Sequence, residues 1–289
     1  MRLQPLLSLL GSLTLAAGLW AQEEAPVPAS VAFPRPTAAE VALAEQSLAS
    51  YKAALGPEMA SIVKRFPEMI EVRPPRTNSA IVPSLSRGFF QKHQDNLAVA
   101  RQGDIDVLFM GDSITDWWRR DDERIAGKPV FDKWFGDLKV ANFGIAGDTT
   151  QGVLYRLQNG EGEGFSPKAI MLMIGTNNAG RNTSEEIAEG VGAIVMEMQK
   201  DFPAAKILLL AIFPRAEPDS SLRAINDGVN AIISRLHDGE RVFYMDIGHV
   251  FLDADGSIPR DVMPDLLHPS GKGYELWAEA VNEPLRALL

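Results

Sequence analysis

Cysteine is absent from all 289 residues. Its absence excludes disulfides, thiolate nucleophiles, Cys-ligated metal centres and an N-terminal cysteine carrying a lipid. Histidine is nearly as scarce: only His93, His237, His249 and His268 could do imidazole chemistry. No cluster of Lys and Arg relieves a formal net charge of −10. A nucleic-acid or anionic-membrane partner is therefore not expected, because counterion release needs a dense basic face. Metal signatures are missing as well. There is no HExxH, and Asp253-Ala254-Asp255-Gly256 lacks the later Glu of a calcium loop, so neither a metal nor another cofactor is expected.

The longest charge-free run is at the N-terminus. Arg2 precedes an uncharged stretch from Leu6 to Leu19, and small residues fall at Ala16, Ala17, Gly18 and Ala21 before Gln22-Glu23-Glu24. Residues 1–21 read as a signal peptide cleaved after Ala21, with an uncleaved anchor as the alternative, because the run is short for a membrane span. Export to the periplasm or the extracellular space follows as the expectation. Residues 22–37, rich in Pro and Ala without periodicity, read as a flexible linker. Residues 38–103 read as a helical extension: Val41, Leu48, Tyr51, Leu55 and Ile62 keep helical spacing across a break at Gly56-Pro57. Ser84 to Gln102 repeats that pattern, and the proline-rich span Glu71 to Pro83 reads as a surface connection.

From residue 104 to 289 short apolar runs alternate with amphipathic segments. Val107–Met110, Val140–Phe143, Ala169–Ile174, Ile207–Phe213 and Val242–Met245 are too short for helices and nearly all apolar, as parallel strands covered on both faces should be. Ile187, Val191, Ile194 and Met198 mark one intervening helix, and Leu222, Ile225, Val229 and Ile233 another. The alternation predicts a doubly wound α/β sandwich with a five-stranded parallel sheet. Ligands in such sheets bind beyond the carboxyl ends of the strands, where Ser113, Gly147 and Asn177 would lie.

Each of these residues has a structural reading beside a chemical one. Ser113 in Gly111-Asp112-Ser113 suits a helix N-cap with Asp116 reciprocating, or a nucleophile whose helix-start amide holds an oxyanion. Gly147 could shape a turn or bring a bare amide to a ligand oxygen, and Asn177 could close a turn or donate from its side chain. A serine nucleophile needs a base and a group that orients that base. Asp265 and His268, three apart in a Pro-flanked loop, could supply both, with His249 as the rival base. Trp117, Trp118, Trp134 and Trp277 could stack on sugars but sit within apolar-periodic segments and read as core.

Gly111-Asp112-Ser113, Gly147, Gly175-Thr176-Asn177-Asn178 and Asp265-Leu266-Leu267-His268, in that order, resemble the four blocks of the SGNH, or GDSL, hydrolases. Val107 to Ser113, Asn142 to Thr150 and Asp265 to Gly273 are similar to the catalytic subunits of intracellular-type platelet-activating-factor acetylhydrolases and to related bacterial acetylesterases. The resemblance implies the flavodoxin-like SGNH fold. It also implies a triad of Ser113, His268 and Asp265, and an oxyanion hole of the Ser113 and Gly147 amides with the Asn177 side chain. Ile114, Thr176 and Leu267 would then border a short acyl group. Ala146 departs from the Gly common in those subunits.

The expected reaction is hydrolysis of an acetyl ester through an acyl-enzyme. An exported enzyme meets acetylated carbohydrate more readily than cytosolic ether lipid, so an oligosaccharide or other small-molecule ester is the first expectation and a phospholipid ester the second. An inactive carbohydrate-binding or scaffold protein is the non-enzyme alternative. The helical extension suits a lid or the arm of a homodimer equally well.

Overall fold

The computed structural model describes residues 24–67, 70–72, 76–122 and 127–289. The expected signal peptide lies outside these residues. At the centre stands a five-stranded sheet of β1 (Val107–Gly111), β2 (Val140–Asn142), β3 (Ala169–Met173), β4 (Lys206–Leu210) and β5 (Val242–Met245). The order is β2-β1-β3-β4-β5 and every pairing is parallel. β1 and β3 are covered from end to end, which explains their unbroken apolar runs.

Alternate residues feed two cores. Leu108, Met110, Ile170, Leu172, Ile207 and Leu209 face α6 (Thr150–Arg156), α7 (Ser184–Asp201) and α8 (Ser221–Ile233). Val107, Phe109, Met171, Met173, Leu208 and Leu210 pack with residues of α5 (Gly127–Phe135) and α9 (Gly271–Arg286), Trp118 and Trp277 among the cluster. The topology switches direction between β1 and β3, so the crevice opens at their carboxyl ends.

The N-terminal residues depart from expectation in two places. The stretch expected as a flexible linker is tied down from Glu24 on: Ala25 and Val31 are buried, and Ala25 N–H donates to Ile81 at 2.8 Å. Arg35 pairs with both Glu24 and Glu189. Irregular, Pro-rich chain shows no periodicity, yet it packs because α7 offers Gly192, where a Cβ would meet Val31 at 2.5 Å. The proline-rich connection is not wholly superficial either, since Asn78, Ala80 and Ile81 are buried. As expected, α1 (Ala38–Ala53) and α2 (Pro57–Arg65) are helices; they bury no residue, leaving Leu43, Tyr51, Met59 and Ile62 exposed. By contrast α3 (Phe90–Ala100) packs into the body through His93, Asn96 and Ala100. No helix among the described residues is long and apolar enough to cross a membrane.

Candidate active site

The chain leaves β1 and turns at once into α4 (Ser113–Asp116). Here the cap is Asp112, not Ser113: its Oδ1 accepts the Ile114 amide at 3.0 Å, which places Ser113 at the first helical position. α4 is a single turn continued by a 3-10 turn at Trp117–Arg119, so only its first few amides, not a long macrodipole, act on a ligand. Tyr274 of α9 fixes the turn by donating its hydroxyl to the Ile114 carbonyl at 2.8 Å.

Ser113 Oγ lies 2.9 Å from His268 Nε2, and His268 Nδ1 lies 2.7 Å from Asp265 Oδ2. The loop closes on itself because Asp265 Oδ1 also accepts the amides of Leu267 (3.1 Å) and His268 (2.8 Å). Leu266 takes φ +60° between them, a left-handed conformation that costs about 1 kcal/mol or more. Its carbonyl is held by the Ala216 amide at 2.8 Å. Partial burial raises the Asp265 carboxyl, but the hydrogen bonds and charge of His268 outweigh it, and the net shift is downward. Asp265 stays ionised, as a group that orients an imidazole must. His249 is exposed and takes no part in this chain of bonds, whereas His237 accepts the Tyr244 amide at 3.1 Å and is structural.

The sequence reading missed a stack on the histidine. Trp117 packs its ring on the His268 imidazole, centroids 3.9 Å apart and planes at 28°, and the Arg120 guanidinium lies 4.6 Å from the Trp117 ring on the cation–π pattern. Trp118 and Trp277 are core as expected. The signal for Trp117 was only its place one helical turn after Ser113.

The loop after β2 is held at nearly every residue. Gly144 N–H donates to Asn142 Oδ1 at 2.9 Å, Ile145 N–H to Gly111 at 3.2 Å, and Ala146 N–H to Asp116 Oδ2 at 3.0 Å. A Cβ on Gly144 would come within 2.4 Å of Asp116 N, so close approach of two backbones, rather than a turn, demands glycine. Gly147 is exposed at φ +85°. Asn177, in the 3-10 turn Thr176–Asn178 after β3, donates one Nδ2 hydrogen to the Asp148 carbonyl at 2.8 Å. An amide carries two such hydrogens, which leaves the second for a ligand.

Beneath the loop lies a buried ionic unit. Arg156 pairs with Asp148 (2.8 Å to Oδ2) and with Glu161, all three fully buried, and Glu161 Oε1 lies 2.7 Å from His93 Nδ1 of α3. Burial opposes the Arg156 charge, but Glu161 and Asp148 outweigh it and hold the guanidinium protonated.

Of the residues expected to border an acyl group, Ile114 and Thr176 are buried and Leu267 is half-buried. Thr176 is fixed by Arg215, whose Nη1 donates to its carbonyl at 2.8 Å and its hydroxyl at 3.2 Å. Arg215, also missed, follows the apolar run of β4 directly. Asp112 is unusual: buried, with Oδ2 lacking a partner among the described residues, its carboxyl is pushed up to about 7, chiefly by burial. The folded chain thus binds this proton more tightly than the unfolded one, and stability falls as pH rises from the ordinary carboxylate value of 3.8 toward 7. Between about pH 5 and about pH 8 the native protein is expected to lose about 3 kcal/mol that D112N does not lose. Urea midpoints of both at the two pH values check this; parallel shifts would refute it.

The comparisons agree with this geometry. Residues 109–276 match the GDSL-like lipase/acylhydrolase family. The chain is 36% identical over 202 residues to the platelet-activating factor acetylhydrolase IB subunit alpha2 of Rattus norvegicus, covering 70% of this chain and 85% of that one. It is 33% identical over 198 residues to the alpha1 subunit of Bos taurus, covering 68% and 82%. A GDSL-like lipase from Bacteroides thetaiotaomicron shares the fold at a TM-score of 0.53 and 18% identity, over 70% of this chain and 98% of that structure. Sequence and fold together define a carboxylic ester hydrolase. The chain belongs to the GDSL, or SGNH, hydrolase family.

Proposed function

We propose that the protein is an exported acetylesterase acting on acetylated carbohydrate through an acyl-enzyme on Ser113. The observation that carries the chemistry is the unbroken relay from Ser113 Oγ through His268 to Asp265. In this reading His268 Nε2 takes the hydroxyl proton as Ser113 attacks the ester carbonyl, then returns it to the leaving alkoxide. Water, deprotonated by the same nitrogen, attacks the acyl-enzyme and releases acetate. The Ser113 and Gly147 amides and the free Asn177 hydrogen hold the oxyanion of each tetrahedral intermediate. Ile114, Thr176 and Leu267 border the acyl methyl, and Arg215 keeps Thr176 from yielding to a longer chain.

Support for a carbohydrate alcohol comes from the polar walls beside Gly147, where Ser84, Thr149 and Gln151 border a cleft of about 340 Å3. A phospholipid acyl ester is the second reading, favoured by the similarity to platelet-activating factor acetylhydrolase subunits. Acetate release from acetylated xylan and from a platelet-activating-factor analogue separates the two. The carbohydrate reading expects the higher kcat/KM on xylan fragments, and an octanoyl p-nitrophenyl ester is expected to be cleaved at least about tenfold more slowly than the acetyl ester. Equal rates on both acyl lengths would sink the acetyl assignment; a preference for the phospholipid would sink the carbohydrate one.

A further inference from the structure

The cleft beside Gly147 is not built by the family's four blocks alone. One wall is the segment 84–89 of the N-terminal extension, tied on by the Ser84 amide, which donates to the Gln151 carbonyl at 3.0 Å. Phe89 leans over the glycine so closely that a Cβ on Gly147 would touch its ring at 3.4 Å. The lining also includes Arg181, exposed, its guanidinium without a hydrogen-bonding or ion-pairing partner among the described residues. A second cleft of about 530 Å3 shares Ser84, Leu85 and Ser86 as its wall and carries Arg87, whose guanidinium likewise has no such partner.

Two unpaired guanidinium groups flanking one ridge stand out in a chain of net charge −10. Among the described residues the one carboxylate bordering the smaller cleft is Asp148, which is buried and paired with Arg156. An anion entering there therefore meets a planar donor fork with no solvent-exposed carboxylate on the walls. The cleft meets the proposed site at Gly147, and none of Ile114, Thr176 and Leu267 borders it, which leaves it for the alcohol half of the ester in the esterase reading.

We propose that Arg181, with Arg87 beyond the Ser84–Ser86 ridge, forms a subsite for an anionic group on the alcohol portion of the substrate. That group is the carboxylate of an acidic saccharide or the phosphate of a phosphodiester. The inference rests on the esterase reading and narrows its substrate to acetyl esters whose leaving alcohol carries negative charge. Phe89 sets the distance, because its ring fills the space between the oxyanion loop and the extension.

The test compares acetate release from an O-acetylated oligogalacturonate, an O-acetylated xylo-oligosaccharide and a choline phosphodiester bearing an acetyl ester, with p-nitrophenyl acetate as the uncharged control. The native enzyme is expected to favour an anionic ester over the neutral saccharide by about tenfold in kcat/KM, through KM, as one charged hydrogen-bonded contact supplies. About 0.5 M salt should erase most of that preference. R181Q should abolish it while leaving p-nitrophenyl acetate turnover within about twofold. Whether the galacturonate or the phosphodiester gains identifies the source of the anion. No anionic preference in the native enzyme, or an equal fall on charged and neutral esters in R181Q, overturns the subsite. Should p-nitrophenyl acetate prove inert, the esterase reading fails separately. Calorimetric binding of unacetylated oligogalacturonate and of a lyso phosphodiester to native and R181Q protein then decides the subsite without turnover: at least about tenfold weaker binding of either by R181Q supports it, and unchanged or absent binding of both refutes it.

Discussion

Ser113→Ala is expected to lower kcat on p-nitrophenyl acetate by about 10⁴-fold or more while leaving the melting temperature nearly unchanged. Among the described residues the Ser113 hydroxyl is the one hydrogen-bonded to His268 Nε2, and it is buried, which is the basis of the proposed role. Removing it deletes covalent catalysis but spares the Ser113 amide, the Gly147 amide and Asn177, so residual activity should come from oxyanion binding alone. His268→Ala should cost about as much, and the double variant little more, because a relay missing one member has already lost its function. The fold should tolerate the change, since one hydrogen bond of this kind contributes about 1 kcal/mol. Stopped-flow and steady-state assays of the three variants check this. Activity of S113A within tenfold of native would overturn the assignment of Ser113 as the nucleophile.

Arg156→Leu is expected to be the most destabilising single change outside the apolar core, at about 3–5 kcal/mol. Losing the guanidinium leaves two fully buried carboxylates, Asp148 and Glu161, without their shared counterion. For a chain of this length the penalty corresponds to a fall of about 10 °C in melting temperature. Activity should fall in parallel even well below the transition, because the Asp148 carbonyl is the anchor of Asn177. Adding D148N and E161Q to the R156L background should recover part of the loss, since neutral amides need no counterion. Calorimetry on the single and triple variants tells the two apart. If R156L melts within about 2 °C of native, the unit is not holding the loop.

What was legible in residue order follows from which interactions are local. The strands announced themselves because β1 and β3 are buried on both faces, which leaves short unbroken apolar runs. Asp265 and His268 were legible as a pair because three residues of tight turn suffice to bring carboxylate to imidazole. Ser113 was harder, because a serine at a helix start reads equally well as a cap; the structure gives that role to Asp112. The Trp117 stack and the Arg215 brace on Thr176 were illegible, since each joins elements remote in sequence and breaks no local pattern. Helical spacing gave α1 and α2 correctly, but it says nothing of what covers their apolar side chains, and among the described residues neither helix buries one. The lack of periodicity misled at residues 24–37, where docking depends on a notch at Gly192 that no inspection of the prolines reveals.

The bond between His93 and Glu161 places α3 inside the ionic unit under the oxyanion loop, although α3 lies ahead of all four motif blocks and of the span 109–276. α3 is in effect a tethered ligand of the hydrolase body, bound at the high effective concentration that a short covalent link supplies. Its docking then stabilises the body by mass action, as any ligand selective for the folded form does. A chain cut at residue 104 would keep every motif and lose that ligand. The unit that folds is therefore larger than the unit that the motifs delimit.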